Sequence, residues 1–488
     1  MRLYLEGHGE RYALEQLQMA LFPEASMELC GSPFTGEGAI SSLTRDKGYL
    51  TATGRIRLGG RDVSGVCRLR AAEETVASRR RILQQSYYLA AVQLLARAPA
   101  WGALAGVRPT KLTSRVLLGG GTAADCEALL RDVYFVEPAR RRLCIDASLA
   151  TARAAAMLDP MDISLYVGIP FCPSRCAYCS FVSQSTQRHA GLVAPFLEAL
   201  LREVEEAGRL LARSPRRVRT VYIGGGTPTT LSAAQLERLM QAISRHFDLS
   251  RCLEYTVEGG RPDTLDLEKL ETLRRCGADR ISINPQTMQD QVLRRMARRH
   301  TAADTVRALE QARAAGFEAV NMDLIAGLPG DSAAGFADSL RQCVGLDPEN
   351  LTVHTLAVKR GSALHLDRDG LLEAAEVEAM LDGASEALRR AGYAPYYLYR
   401  QKYMAGSFEN VGWTRPGRDS LYNIYMMEEL HSILSLGGGG MSKVNLPGGR
   451  LTRIHNPKYP QEYLDRLENT LDGHRTFFRL LQETEGMP

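Results

Sequence analysis

Three cysteines, Cys172, Cys176 and Cys179, stand in C-x3-C-x2-C spacing just after the apolar run 163–169, in a loop opened by Pro170. Thiolates are the ligands of iron–sulfur clusters, and a loop can fold its sulfurs around one cube where a helix would line them along a face. Three protein thiolates for a four-iron cube leave one iron open, as catalytic metal sites keep a position free for substrate. Zinc held by three cysteines and His189 is an alternative, but structural zinc sites usually pair two knuckles and the sequence shows no second one. Buried structural cysteines are the third reading. The remaining cysteines are scattered and read as small core residues, so ten in 488 residues point to a reducing compartment, the cytoplasm.

The elements that must carry this loop follow from periodicity. Short apolar strands at 164–168, 220–223, 253–257, 280–283, 319–324 and 351–354 alternate with helical stretches, as in a parallel sheet wound by crossover helices. Such an α/β pattern suits a partial (β/α)6 barrel over residues 160–370, whose reactive groups sit at the carboxyl ends of the strands. Several notable residues fall there. Gly224-Gly225-Gly226-Thr227-Pro228-Thr229 follows the second strand and bares backbone groups for close approach to a ligand; the lysine of a phosphate loop is missing. Glu258, before two glycines at the end of the third strand, could accept hydrogen bonds from ribose hydroxyls, or sit at the surface or pair with Arg261. Asp323, ahead of Gly327-Leu328-Pro329-Gly330, could bind an ammonium or hydroxyl group or merely fasten the turn.

Two further regions flank the barrel. Residues 1–155 read as an α+β accessory domain: a strand near 2–5, a helix over 9–21, a hairpin from 49–58 into 63–69, and a helix over 72–97. Arg108 and Lys111 could reach carboxylates or simply brace the next helix. Residues 371–488 form a C-terminal extension covering the barrel, with a helix over 372–391 and a tyrosine-rich strand over 393–403 packed on it. Gly437-Gly438-Gly439-Gly440 suits either approach to a cofactor or a turn. The net charge of +4, on 60 basic and 56 acidic residues, does not point to nucleic acid. No segment has the run of about 18 apolar residues that a membrane span needs.

The loop, read with Leu165-Tyr166-Val167-Gly168-Ile169-Pro170-Phe171 before it and Tyr178-Cys179-Ser180-Phe181 at its end, resembles the radical S-adenosylmethionine (radical SAM) superfamily. More narrowly it is similar to the oxygen-independent coproporphyrinogen III dehydrogenase group, and over the whole chain to its HemZ branch. The resemblance implies a 4Fe-4S cluster on Cys172, Cys176 and Cys179. It also implies S-adenosylmethionine lined by Tyr166, Gly225, Gly226, Thr227 and Glu258, with Gln286, Arg298 and Asp323 matching further cofactor or substrate positions. Arg298, in Ala297-Arg298-Arg299-His300, is the candidate to pair with a carboxylate, and His300 reads as a packing residue. The implied reaction is hydrogen abstraction by a 5′-deoxyadenosyl radical from a propionate of coproporphyrinogen III, followed by loss of carbon dioxide and of one electron, to a final acceptor that the sequence does not identify, to leave a vinyl group. An electron donor such as a flavodoxin or ferredoxin would be needed. Lys359 and Arg360 would face such a carboxylate-rich porphyrinogen. Haem chaperones of the group carry a His-Asn pair where this chain has Glu409-Asn410, so the alternative function, haem delivery to apo-proteins, meets a departure there.

Overall fold

The computed structural model describes all residues except 23, 24, 26, 182, 360, 367, 368, 402–407 and 486–488. It divides into two compact units, the first built on Met1–Ser148 and the second on Leu149–Ala405 and Glu409–Pro488. In the first, strands Glu28–Cys30, Arg2–Glu6, Gly38–Asp46, Tyr49–Leu58 and Arg61–Arg70 lie side by side in that order. Helices Arg11–Leu21 and Val76–Ala91 give their apolar sides, Leu14, Leu17, Tyr87 and Tyr88, to a core shared with Leu3 and Ile56. The second helix stops at Ala91 rather than running on to residue 97 as its periodicity suggests. Arg108 and Lys111 flank the start of helix Thr110–Leu118 of this unit.

The second unit holds one eleven-stranded sheet. Its strands are β1 (Asp162–Ile169), β2 (Arg217–Gly225), β3 (Glu254–Gly260), β4 (Arg280–Ile283), β5 (Ala319–Ala326), β6 (Asn350–Thr355), β7 (Ala394–Arg400), β8 (Glu409–Thr414), β9 (Ser432–Gly437), β10 (Met441–Leu446) and β11 (Arg450–His455). β1 to β6 are parallel neighbours in chain order, the expected six-unit barrel. Parallel strands need crossovers, and these are amphipathic helices. Ala233–His246, for example, opens on a Ser232–Gln235 capping box and buries Leu236, Leu239, Met240 and Ile243, each worth about 1.5–3 kcal/mol.

The C-terminal extension packs Tyr463, Phe477 and Phe478 into the barrel core and also extends the sheet at both edges: β8 pairs antiparallel with β6 and β7 with β8, while β9 lies parallel beside β1. Both edges of a six-stranded arc present unpaired backbone groups, and these strands satisfy them. The tyrosine-rich strand is therefore an edge of the sheet and not a layer upon it. Part of its predicted length, Lys402 and Tyr403, lies outside the described residues, as do Gly406 and Ser407 of the segment before Glu409. The glycine run 437–440 serves backbone packing. A Cβ on Gly437 would stand 2.3 Å from Gly168 O, and Gly438 N donates to that same oxygen at 3.0 Å. This run is thereby fastened to the end of β1, just before the cysteine loop. Buried Glu203 holds it from behind, accepting from Gly437 N at 2.8 Å and Asn456 Nδ2 at 3.2 Å, and contacting His474 Nε2 at 2.7 Å. Among the described residues no helix is long and apolar enough to cross a membrane.

Candidate active site

Because side chains alternate along a strand, every second residue of β1 to β6 points into the barrel. Adjacent parallel strands in register then line up their inward residues: Tyr166 with Tyr222, Glu258 with Ser282, Asp323 with Thr352, and Ile325 with His354. At the carboxyl ends these enclose a cavity of about 560 Å³. Cys172, Cys176, Cys179, Tyr166, Gly225, Gly226, Thr227, Glu258, Gln286, Arg298 and Asp323 all line it, so the residues singled out along some 160 positions of sequence converge on one space.

The cysteine loop is held from several sides. Ala177 N donates to Met296 O at 3.1 Å, and Leu364 N to Ala177 O at 3.1 Å. Thr227 Oγ1 approaches Cys172 Sγ at 3.5 Å. Two buried guanidinium groups flank Cys176 Sγ, Arg298 Nη1 at 3.9 Å and Arg261 Nη1 at 4.0 Å. Arg298 also donates to Tyr178 Oη at 2.9 Å and to Asn284 O at 2.6 Å. These two donors serve the loop and the β4 turn, while the buried Nε has no hydrogen-bond partner among the described residues. Arg261 pairs with Asp263 at 2.8 Å and reaches Ser174 Oγ at 2.7 Å, which rules out the alternative pairing with Glu258. His300 packs behind them, nearly buried, and burial and the Arg298 charge push its pKa down to about 3.

The donor set suits an iron–sulfur cluster. Burial pushes the Cys179 thiol up to about 11 and raises Cys172, so occupation by metal must displace protons. Among the described residues no three His, Cys, Asp or Glu side chains close on a single point as one metal ion requires. Three cysteine sulfurs on one cavity wall, with two guanidiniums beside Cys176, fit the thiolate donor set of a negatively charged iron–sulfur cluster. His189 is not among the cavity-lining residues, which removes the zinc alternative its support.

Opposite the loop the walls are polar and differently charged. Gly225 N donates to Glu258 Oε2 at 3.3 Å, but burial and the neighbouring Asp323 charge push the Glu258 carboxyl up to about 8. Asp323 goes the other way: burial raises its pKa, yet His354 (Nε2 to Oδ2 3.6 Å), Asn321 (Nδ2 to Oδ1 2.8 Å) and Thr352 hold it below the usual carboxylate value. The cavity therefore holds two carboxyl groups whose pKa values are pushed apart. Gln286 takes a left-handed backbone conformation, φ 70°, fixed by Gln286 N to Asp323 O at 2.8 Å and Ile325 N to Gln286 O at 2.9 Å. Its buried side-chain oxygen has no partner among the described residues.

Sequence reading missed other lining residues: Tyr222, Asn284, His354, Tyr399 and Tyr422. Tyr166 and Tyr222 lie on adjacent strands, and Tyr422 arrives from helix Leu421–Glu428, with the Tyr222 and Tyr422 ring centroids 4.6 Å apart. Buried Glu254 fixes the start of that helix by accepting from Leu421 N at 2.6 Å and Ser420 Oγ at 3.0 Å. The two-residue offset of Tyr222 from Gly224 carried the signal for the first of these tyrosines. Nothing local marks Tyr422, because it comes from a distant part of the chain.

A parallel six-unit barrel with a three-cysteine loop after its first strand defines a radical SAM protein, and residues 166–343 match the family described as the radical SAM superfamily. This superfamily uses a 4Fe-4S cluster and S-adenosylmethionine. The chain is 40% identical over 380 residues to the oxygen-independent coproporphyrinogen-III oxidase-like protein HemZ of Bacillus subtilis, covering 76% of this chain and 75% of that one. It belongs to the HemZ group of coproporphyrinogen oxidase-like proteins within the radical SAM superfamily. It is also 27% identical over 311 residues to the heme chaperone HemW of Escherichia coli, covering 63% of this chain and 77% of the relative. Among solved structures, the coproporphyrinogen III oxidase HemN of Escherichia coli, a radical SAM enzyme, superimposes with a TM-score of 0.52 at 25% identity, covering 66% of this chain and 73% of that one.

Proposed function

We propose that this protein carries out the oxygen-independent oxidative decarboxylation of coproporphyrinogen III to protoporphyrinogen IX. The observation that carries this reading is the extent of the cavity. Beyond the cysteine loop and the Gly225–Glu258 edge, where cluster and S-adenosylmethionine would lie, it continues along the polar side chains of Asp323, His354, Tyr399 and Asn410. When bound, the two cofactors supply one-electron chemistry that ends in a hydrogen-abstracting carbon radical. The chain's own residues bind, orient and exclude water. Cys172, Cys176 and Cys179 would hold the cluster, and Glu258 would accept from ribose hydroxyls once it gives up its proton. The Tyr166, Tyr222 and Tyr422 rings form an apolar floor that keeps solvent from the reacting carbon. Arg298 acts through the loop, fixing the sulfur of Cys176.

Likeness to HemW supports haem delivery as a second reading. Against it stands Glu409, which replaces the histidine of the chaperone-like pair. Glu409 is buried opposite Arg400 across β7 and β8, while its neighbour Asn410 lines the cavity. Alternation along the strand turns Glu409 to the other face. The test is anaerobic incubation of the reconstituted protein with reductant, S-adenosylmethionine and coproporphyrinogen III. The expected result is 5′-deoxyadenosine and a porphyrin mass lower by two formic acid equivalents. Deoxyadenosine without porphyrin conversion would reject the substrate. Neither product, with haem bound and passed to an apo-protein, would establish the chaperone reading.

A further inference from the structure

Among the described residues the cavity wall carries five cationic side chains: Arg175, Arg261, Arg298, Lys359 and Lys443. Four are engaged by the protein. Arg175 donates to Gly361 O, Arg261 to Asp263 and Ser174, Arg298 to Tyr178 and Asn284, and Lys443 to Met426 O at 3.0 Å. Lys359 differs. It is half-buried, and its ammonium group has no hydrogen bond or carboxylate among the described residues. Its sequence neighbour Arg360 lies outside those residues.

The backbone around Lys359 is nonetheless fixed. Leu356 N donates to Ala326 O at 2.9 Å, Leu364 N to Ala177 O at 3.1 Å, and Ser362 Oγ to Lys359 O at 2.8 Å. Leu356, Val358 and Leu364 pack with Ile325, Leu328 and Met296 in one apolar cluster. Desolvating an ammonium without a partner is unfavourable, and a long flexible stem would let this one swing into water. Here Lys359 lines the cavity beside Cys179, at the opposite end of the strand series from Tyr166. An unanswered cation on a braced segment is a binding site for an anion that the protein does not itself provide.

We propose that Lys359 is the carboxylate anchor of the cavity, taking one propionate of the tetracarboxylate substrate and so setting which side-chain carbon faces the cysteine loop. The inference rests on the porphyrinogen reading above and adds to it a positioning and specificity residue. A fixed charge at the rim of the cysteine loop would select for an acidic side chain on a macrocycle over an esterified one. Lys359 is then a group whose removal leaves the cofactor half of the site intact.

The test uses the full chain with its cluster reconstituted, titrated anaerobically with coproporphyrin III and, in the same detergent, with its tetramethyl ester. For K359A the expected result is a ten- to hundredfold weaker affinity for coproporphyrin III, the range for a charged hydrogen bond. The ester should bind both proteins alike, and K359R should recover most of the lost affinity. Cluster content should match wild type in both variants. Equal affinity of wild type and K359A for coproporphyrin III overturns the anchor while leaving the porphyrinogen reading standing. A changed potential with unchanged porphyrin affinity also overturns it, by making Lys359 a counter-charge of the cluster. If neither porphyrin binds the wild type, the porphyrinogen reading fails and takes the anchor with it.

Discussion

Arg298 places Nη1 3.9 Å from the sulfur of Cys176 while the same nitrogen donates to Tyr178 Oη at 2.9 Å, so one buried guanidinium grips the cysteine loop at two points. Replacing it by methionine keeps the volume but leaves Asn284 O and Tyr178 Oη without their donor. A loss of about 3–5 kcal/mol in unfolding free energy is expected, the cost of breaking one partner out of a buried charged network. Removing a cation beside the cluster also disfavours the reduced form, so the potential of reconstituted R298M should move to more negative values. Chemical denaturation and spectroelectrochemical titration measure the two effects. A wild-type potential would show that Arg298 is structural alone.

Gly226 bears on the same loop from the other side. A Cβ there would stand 2.4 Å from Phe171 O and 3.0 Å from Cys172 Sγ, distances that force the loop to move. G226A should therefore fold with unchanged helix content but retain less iron after reconstitution. G191A is the control, because nothing lies within 4 Å of the added carbon. Iron retention equal to wild type in G226A would mean that the loop yields without harm to the site.

Glu258 gives a pH dependence whose direction can be worked out. Its carboxyl rises from 4.5 in the unfolded chain to about 8 in the folded one, so the folded state holds the extra proton across that window. The stability this contributes is fully present below 4.5 and is lost as pH rises through about 8. Cofactor-free wild type should thus lose stability relative to E258Q as pH is raised from about 6 to 8, with no further divergence above.

S-adenosylmethionine binding should show the opposite trend, because a ribose diol donates to the ionised carboxylate. Affinity should rise with pH up to about 8 in wild type and stay flat in E258Q, which should bind more weakly by about 1–3 kcal/mol at the plateau. Isothermal titration in buffers of different ionisation enthalpy would reveal the released proton. Affinity in wild type that does not change with pH would remove Glu258 from the cofactor contact.

Substitution of Cys172, Cys176 or Cys179 by alanine should abolish the visible absorption of the reconstituted protein or leave a labile three-iron form. C252S should leave it intact, since Cys252 packs beside the barrel core and donates to Glu254 O at 3.3 Å. Iron analysis checks both. Equal iron in wild type and a triple alanine variant would refute the assignment.

The cysteine spacing, the six apolar strands and the residues at their carboxyl ends were readable because each is local. A strand is marked by its own side chains, and in a parallel barrel the residue after each strand automatically faces the site. That is why Cys176, Thr227, Glu258, Gln286 and Asp323 could be named from sequence and meet in one cavity. What tertiary structure alone decided is how their charges are disposed. The Glu258 carboxyl is pushed up and that of Asp323 held down because one is buried beside the other's charge and the other lies beside His354, and no spacing encodes that. Arg298 could be named by its type, but that its Nη1 and Nη2 donate to Tyr178 and Asn284 was not legible, because only folding brings those groups to it. The C-terminal strands behaved likewise. Their aromatic alternation gave strand but not place, and β9 joined β1 across more than 250 residues because an open sheet edge must be paired, a long-range demand with no signature in the strand itself.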